Sequence, residues 1–148
     1  MLRLQKDFFF VNKQYSKAAK LTAFRNAIYE QVKNFREKEL KNNKRFAQLS
    51  EKNPYNVHTE HIVPFHLLLS DFCRDNQLKL REINIRETER WGRQTFEIID
   101  TKILRAWQKY HQKYSQLRLI TKEENLAKAA EADLPLYQYK KARGETYD

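Results

Sequence analysis

Residues 116–128, Gln116-Leu117-Arg118-Leu119-Ile120-Thr121-Lys122-Glu123-Glu124-Asn125-Leu126-Ala127-Lys128, read as a strand, a turn and a helix. Residues 116–120 form the brief strand. Thr121 with Glu124 three residues later is a capping-box pattern, in which a hydroxyl and a carboxylate each satisfy the other residue's backbone N–H. Leu126, Ala127, Ala129 and Ala130 follow as good helix formers. Glu123 and Glu124 read as first-turn acids complementing the helix dipole.

Upstream, Glu60-His61-Ile62-Val63-Pro64 sets a carboxylate beside an imidazole at the end of another expected strand, in the short His-rich stretch 55–65. His58 lies two residues before Glu60 and therefore on the same side of that strand. Between residues 15 and 50 there is neither Gly nor Pro, and Leu21, Phe24, Ile28, Val32 and Phe35 recur at helical spacing. The spacing predicts one long basic helix, or two, ending at Asn53-Pro54 because proline pushes its predecessor out of the α region. Residues 67–72 suit one or two helical turns, and 78–85 alternate like a strand or an extended loop. From about Trp91 to Tyr114, Ile99, Ile103, Ala106 and Tyr110 mark a further amphipathic helix. Trp91, Trp107, Tyr110 and Tyr114 then read as core rather than as base-stacking platforms.

Composition narrows the classes. With 41% hydrophobic and 13% aromatic residues among 148, the chain has enough apolar material to fold as one domain. Two glycines and three prolines argue against turn-dense β architectures and Gly-rich phosphate loops. Lys and Arg number 29 against 19 Asp and Glu, a net charge of +10 that favours a polyanionic partner, first of all nucleic acid. Residues 1–50 hold 12 basic and 4 acidic groups, so most of the excess lies there. No run approaches the roughly 18 apolar residues of a membrane span, and residues 8–11 are the only apolar run near the start. The single cysteine, Cys73, excludes an intrachain disulfide and a cysteine-cluster zinc site, and reads as a buried small hydrophobe. The expectation is a cytoplasmic chain with no membrane partner.

The two blocks together resemble the HNH nuclease family. Its ββα-metal motif opens with an acidic or His residue followed by His-Ile and often Pro, as at Glu60-His61-Ile62-Val63-Pro64. Its second half has an Asn-Leu-x-Leu strand, a His or Asn nine residues on and a Lys three later. Gln116-Leu117-Arg118-Leu119, Asn125 and Lys128 reproduce both intervals. The likeness is nearest to Asn-ended versions such as the HNH domain of RNA-guided CRISPR nucleases, and it covers the motif only. Gln116 stands where the family usually has Asn, and 64 residues separate His61 from Asn125, so an insert must loop out between the strands.

The resemblance implies a small ββα-metal core, and with the helical spacings it gives a mainly α fold with a long basic N-terminal helix or helix pair and a helical insert. Residues 1–53 would be the basic helical region, 54–131 the nuclease core with its insert at 66–115, and 132–148 a polar tail. It implies one Mg²⁺ or Mn²⁺ per site, held by Glu60 and Asn125 with His58 as a further candidate, and no structural zinc. Such hard cations prefer oxygen donors. His61 would be the general base, Gln116 a support for the loop carrying it, and Lys128 an offset to phosphate charge. The implied activity is hydrolysis of DNA phosphodiesters, leaving 5′-phosphate and 3′-hydroxyl ends, with a homodimer one way to cut both strands. Electrostatics adds Lys13, Lys17, Lys20, Arg25, Lys33 and Arg36 as DNA contacts. His66 and His111 read as structural. The rival readings are a non-catalytic basic helical module that binds DNA or RNA, and an assembly protein whose basic helix packs on an acidic partner.

Overall fold

The computed structural model describes residues 14–127. Lys13, Lys128, residues 8–11 and the tail at 132–148 lie outside them. In chain order come α1 (Lys17–Ala27), α2 (Tyr29–Asn42), α3 (Lys44–Lys52), β1 (Val57–His61), α4 (Phe65–Asp75), β2 (Ile85–Arg90), β3 (Arg93–Ile98), α5 (Thr101–Tyr114), β4 (Leu117–Thr121) and α6 (Lys122–Ala127). Short 3₁₀ turns occupy Pro54–Asn56 and Leu80–Glu82.

The described residues are 62% helical and 19% strand, with six helices and two two-stranded antiparallel sheets. The fold is therefore α/β, which corrects the expectation of a mainly α chain around a small ββα-metal core with a helical insert. The insert is where that expectation fails. β2 and β3 pair from Ile85 opposite Ile98 to Arg90 opposite Arg93, joined by Trp91 and Gly92. Both turn residues have positive φ, 52° and 73°, the geometry whose twist matches that of the flanking strands. Trp91 is thus no part of a helical core stripe. It sits 70% exposed at a hairpin tip, whereas Trp107 is fully buried.

The basic region also differs from one long helix or two. The stretch divides into three, because the chain turns at Ile28 and because the Asn43 side chain accepts from Phe46 N at 3.2 Å to start α3. Asn53 closes α3 ahead of the proline, as the sequence predicts.

The described residues form two compact units, one from residues 14–29 with Leu69–Tyr110, the other from Glu30–Leu68 with residues 111–127. The first is organised by rings. Phe24 of α1, Phe72 of α4 and Trp107 of α5 are all buried, and Trp107 meets Phe24 and Phe72 edge-on at 5.5 and 5.3 Å between centroids. The Trp107 indole N–H donates to the Phe24 carbonyl at 2.9 Å. Gln108 Nε2 donates to the Ala27 carbonyl at 2.8 Å, and Arg90 to that of Asn26 at 3.2 Å. Carbonyls at a helix C-terminus have no partner within the helix, and these side chains supply one.

In the second unit β1 and β4 pair from Val57 opposite Thr121 to His61 opposite Leu117. The ladder extends one step, since Ile62 N–H donates to the Gln116 carbonyl at 2.8 Å. Buried Val57, Val63, Phe65, Leu68, Leu119 and Ile120 form its apolar interior. The expected capping box is present: Glu124 N donates to Thr121 Oγ1 at 3.1 Å, and Thr121 N to Glu124 Oε2 at 3.3 Å.

At the end of α4, Leu78 N donates to the Cys73 carbonyl at 2.8 Å and Gln77 N to that of Arg74 at 3.2 Å. This is the Schellman arrangement, and Gln77 holds its left-handed position at φ 55°. Glycine adopts that conformation without a Cβ penalty. Gln77→Gly is expected to stabilise the chain by up to about 1 kcal/mol, read as a raised midpoint in urea at unchanged slope.

Candidate active site

β1 carries alternate side chains to opposite sides, so Glu60 and His61 are adjacent in sequence but face different ways. Glu60 lies directly across from Arg118, and Arg118 Nε meets Glu60 Oε2 at 2.8 Å. The carboxylate side chain is only 10% exposed, so the acidic member of this cross-strand pair is shielded from solvent. His58 shares that face and stands opposite Ile120.

On the other face, His61 belongs to a chain of polar groups. Its Nε2 lies 2.9 Å from His111 Nε2, and His111 Nδ1 lies 2.7 Å from Gln31 Oε1. His111 is fully buried, and desolvation, with a further push from the neighbouring His61 ring, lowers its pKa from 6.5 to about 4. At neutral pH His111 therefore carries one ring hydrogen. Gln31 Oε1 can only accept, which places that hydrogen on Nδ1 and leaves Nε2 as an acceptor for His61 Nε2–H. The neutral His61 tautomer then has its lone pair on Nδ1. Phe65 packs edge-on against the His61 ring at 5.5 Å and further limits its rotation.

The sequence placed His61 in a catalytic role and took His111 as structural; the hydrogen bond makes His111 and Gln31 part of the same arrangement. His111 falls one helical turn after buried Trp107, so a titratable ring on a buried stripe was the available signal. Gln116 does support the chain after His61, but through its backbone carbonyl, a bond that any residue type could make. His66 is exposed.

The metal ligands expected at Glu60 and Asn125 are oxygen donors of the right hardness. Asn125 is half-buried in α6, which lies against both strands. Arg118 meets the charge of Glu60, so a cation there would compete with a guanidinium. Among the described residues no three His, Cys, Asp or Glu side chains gather into a metal-binding group.

Two of the expected DNA contacts are corrected. Lys20 is buried, its Nζ donating to the Leu80 carbonyl at 3.2 Å and also to that of Arg81, and burial lowers its pKa. The Arg36 guanidinium donates to the Val57 carbonyl at 2.7 Å and the Pro54 carbonyl at 3.0 Å, anchoring the entry to β1. Lys17, Arg25 and Lys33 are exposed. Cys73 is buried, which pushes its thiol up to about 11. No helix among the described residues is long and apolar enough to cross a membrane. No protein-family model, curated protein or solved structure matches the chain.

The lowered His111 pKa fixes a pH dependence. The unfolded chain binds the proton near pH 6.5 and the folded chain only near 4, so stability is full above 6.5 and falls as pH drops through that window. The loss reaches about 3 kcal/mol at 1.36 kcal/mol per unit. His111→Gln should flatten the urea-midpoint profile between pH 6.5 and 4 by the equivalent of one proton.

Proposed function

We propose that the chain is an HNH-type endonuclease, a metal-dependent hydrolase of DNA phosphodiesters in which His61 is the general base. The observation that carries this reading is the Gln31–His111–His61 chain, which sets one tautomer of an imidazole lying in the Glu60-His61-Ile62-Val63-Pro64 motif. A base must present a lone pair in a fixed direction, and a ring held at Nε2 presents Nδ1. His61 would take a proton from water as the water oxygen attacks phosphorus. The bond from phosphorus to the 3′ oxygen would break, that oxygen taking a proton from solvent water, to leave 5′-phosphate and 3′-hydroxyl ends.

Glu60 and Asn125 would hold Mg²⁺ or Mn²⁺, which would supply a Lewis acid for the phosphodiester. Because Glu60 faces away from His61 along β1, the substrate phosphate would have to lie at the end of the strand, where the alternation stops at His61, to meet both. Arg118 would release or share Glu60 as the cation binds. Lys17, Arg25 and Lys33 are exposed cations of the basic helices that would meet the DNA backbone.

The Glu60–Arg118 pair also favours a second reading, a non-catalytic nucleic-acid-binding module in which the motif is a structural ion pair. Plasmid incubated with the protein and Mg²⁺, Mn²⁺ or EDTA separates the two. The nuclease reading expects nicked or linear product only with metal, whereas the module retards plasmid in every lane and yields no product.

Three variants sharpen the test. His61→Ala should abolish cleavage while DNA retention and the helical signal survive. His111→Phe should lower the rate by at least about tenfold and change its pH profile, because the base loses the group that sets its tautomer. Arg118→Gln frees the Glu60 carboxylate, so cleavage should begin at a lower Mg²⁺ concentration. An unchanged titration there, together with an unchanged one for Glu60→Gln, would place the metal elsewhere.

A further inference from the structure

The tip of the β2–β3 hairpin is built against local preference. Trp91 occupies the left-handed region, at φ 52°, where a bulky side chain is strained. Asn, Asp or Gly at 91 would satisfy the same turn with less strain. Trp91 is not placed in the core in return, being 70% exposed.

The surroundings of the indole are specific. Arg90 stands 4.6 Å from its ring centroid and 5.5 Å from that of Tyr29, while the Tyr29 and Trp91 rings meet at 4.9 Å. Arg90 is fixed by its bond to the Asn26 carbonyl. Tyr29 is itself 38% exposed. Directly across the ladder from Arg90 is Arg93, also exposed, and like charges in opposite positions of a strand pair repel. An anion between them relieves the repulsion. A strained, exposed aromatic pair interleaved with guanidinium groups has the chemistry that takes a flat π surface together with a phosphate.

We infer that Tyr29, Arg90, Trp91 and Arg93 form a binding site for an unpaired nucleotide of single-stranded DNA, the base stacking on Trp91 and the adjacent phosphate lying at Arg93. A paired base inside a duplex does not expose the face that stacks, so the site distinguishes single strands from duplex. The inference shares with the proposed activity only a nucleic-acid partner. It makes no use of His61 or of a metal.

The test uses the full chain in EDTA with an oligothymidine of about 12 nucleotides, inside the usual single-strand site range. The chain has two tryptophans and Trp107 is fully buried, so quenching on titration reports Trp91. The expected result is quenching of emission, with duplex or an abasic strand of equal length causing little. Trp91→Ala should weaken binding of the oligothymidine roughly tenfold, within the about 5- to 150-fold range that stacking one base supports, and leave the abasic strand unaffected. Trp91→Phe should retain most of the affinity. Arg93→Gln should lower the salt slope by about 0.7, the share of one phosphate on a single strand.

Trp91→Gly, freed of the left-handed penalty, should fold at least as stably and bind like Trp91→Ala. Equal binding of abasic strand and oligothymidine by the native chain, quenching by duplex equal to that by single strand, or unchanged affinity in the glycine and alanine variants each overturns the site. Metal-dependent cleavage alongside such a result would leave the nuclease reading standing. Conversely, single-strand binding that depends on Trp91 in a chain without cleavage supports the site and removes the nuclease.

Discussion

The buried hydrogen bond from the Trp107 indole to the Phe24 carbonyl decides where the first helix stops and what surrounds its end. At Ile28 the backbone N–H turns to the Arg25 carbonyl, releasing the Phe24 carbonyl from the α ladder. Left unpaired in an apolar interior, such a carbonyl would cost roughly 1–3 kcal/mol. Trp107 meets it while its ring fills the space between Phe24 and Phe72, so one side chain supplies both the packing and the cap. The Ala27 and Asn26 carbonyls are met from α5 and β2 in the same way. Because Arg90 is one of these capping groups, its guanidinium position, and with it the hairpin tip beside Tyr29, follows from the end of α1.

Part of the charge is used inside this protein. Lys20 and Arg36, which the sequence offers as phosphate contacts, are consumed by backbone carbonyls of the Leu80–Glu82 turn and of the approach to β1. Arg118 is consumed by Glu60. Net charge therefore overstates the cationic surface left for a polyanion. The exposed remainder includes Lys17, Lys33 and Arg93, and in the proposed functions these are the groups that meet phosphate.

Where the sequence carried short-range chemistry it was legible. Thr121 and Glu124 announce a helix start through two specific bonds, and both are made. The strand before them followed from a short apolar run, and the strand ending at His61 from the Glu60-His61-Ile62-Val63-Pro64 block. The β2–β3 hairpin was not legible for a physical reason. Ile85-Arg86-Glu87-Thr88-Glu89-Arg90 has one apolar residue in six, so no alternation shows, and its turn has Trp where Asn or Asp would have signalled it. Lys20 was readable in hindsight, since it lies one helical turn before Phe24 on the apolar stripe. The Gln31–His111 partnership joins residues 80 apart, and no local pattern encodes it.

The choice of a neutral histidine to hold another histidine has a consequence that a carboxylate in the same place would not. A buried carboxylate would stabilise the protonated form of its partner and raise that partner's pKa. His111 offers a lone pair without a full charge, and burial keeps it neutral down to about pH 4. If His61 accepts a proton at Nδ1, its Nε2–H still points at the His111 lone pair, and the bond becomes charge-assisted and stronger. No proton has to cross between the rings. The arrangement thus orients His61 in both protonation states while withholding the charge that would trap it in one, which the proposed role of general base would require.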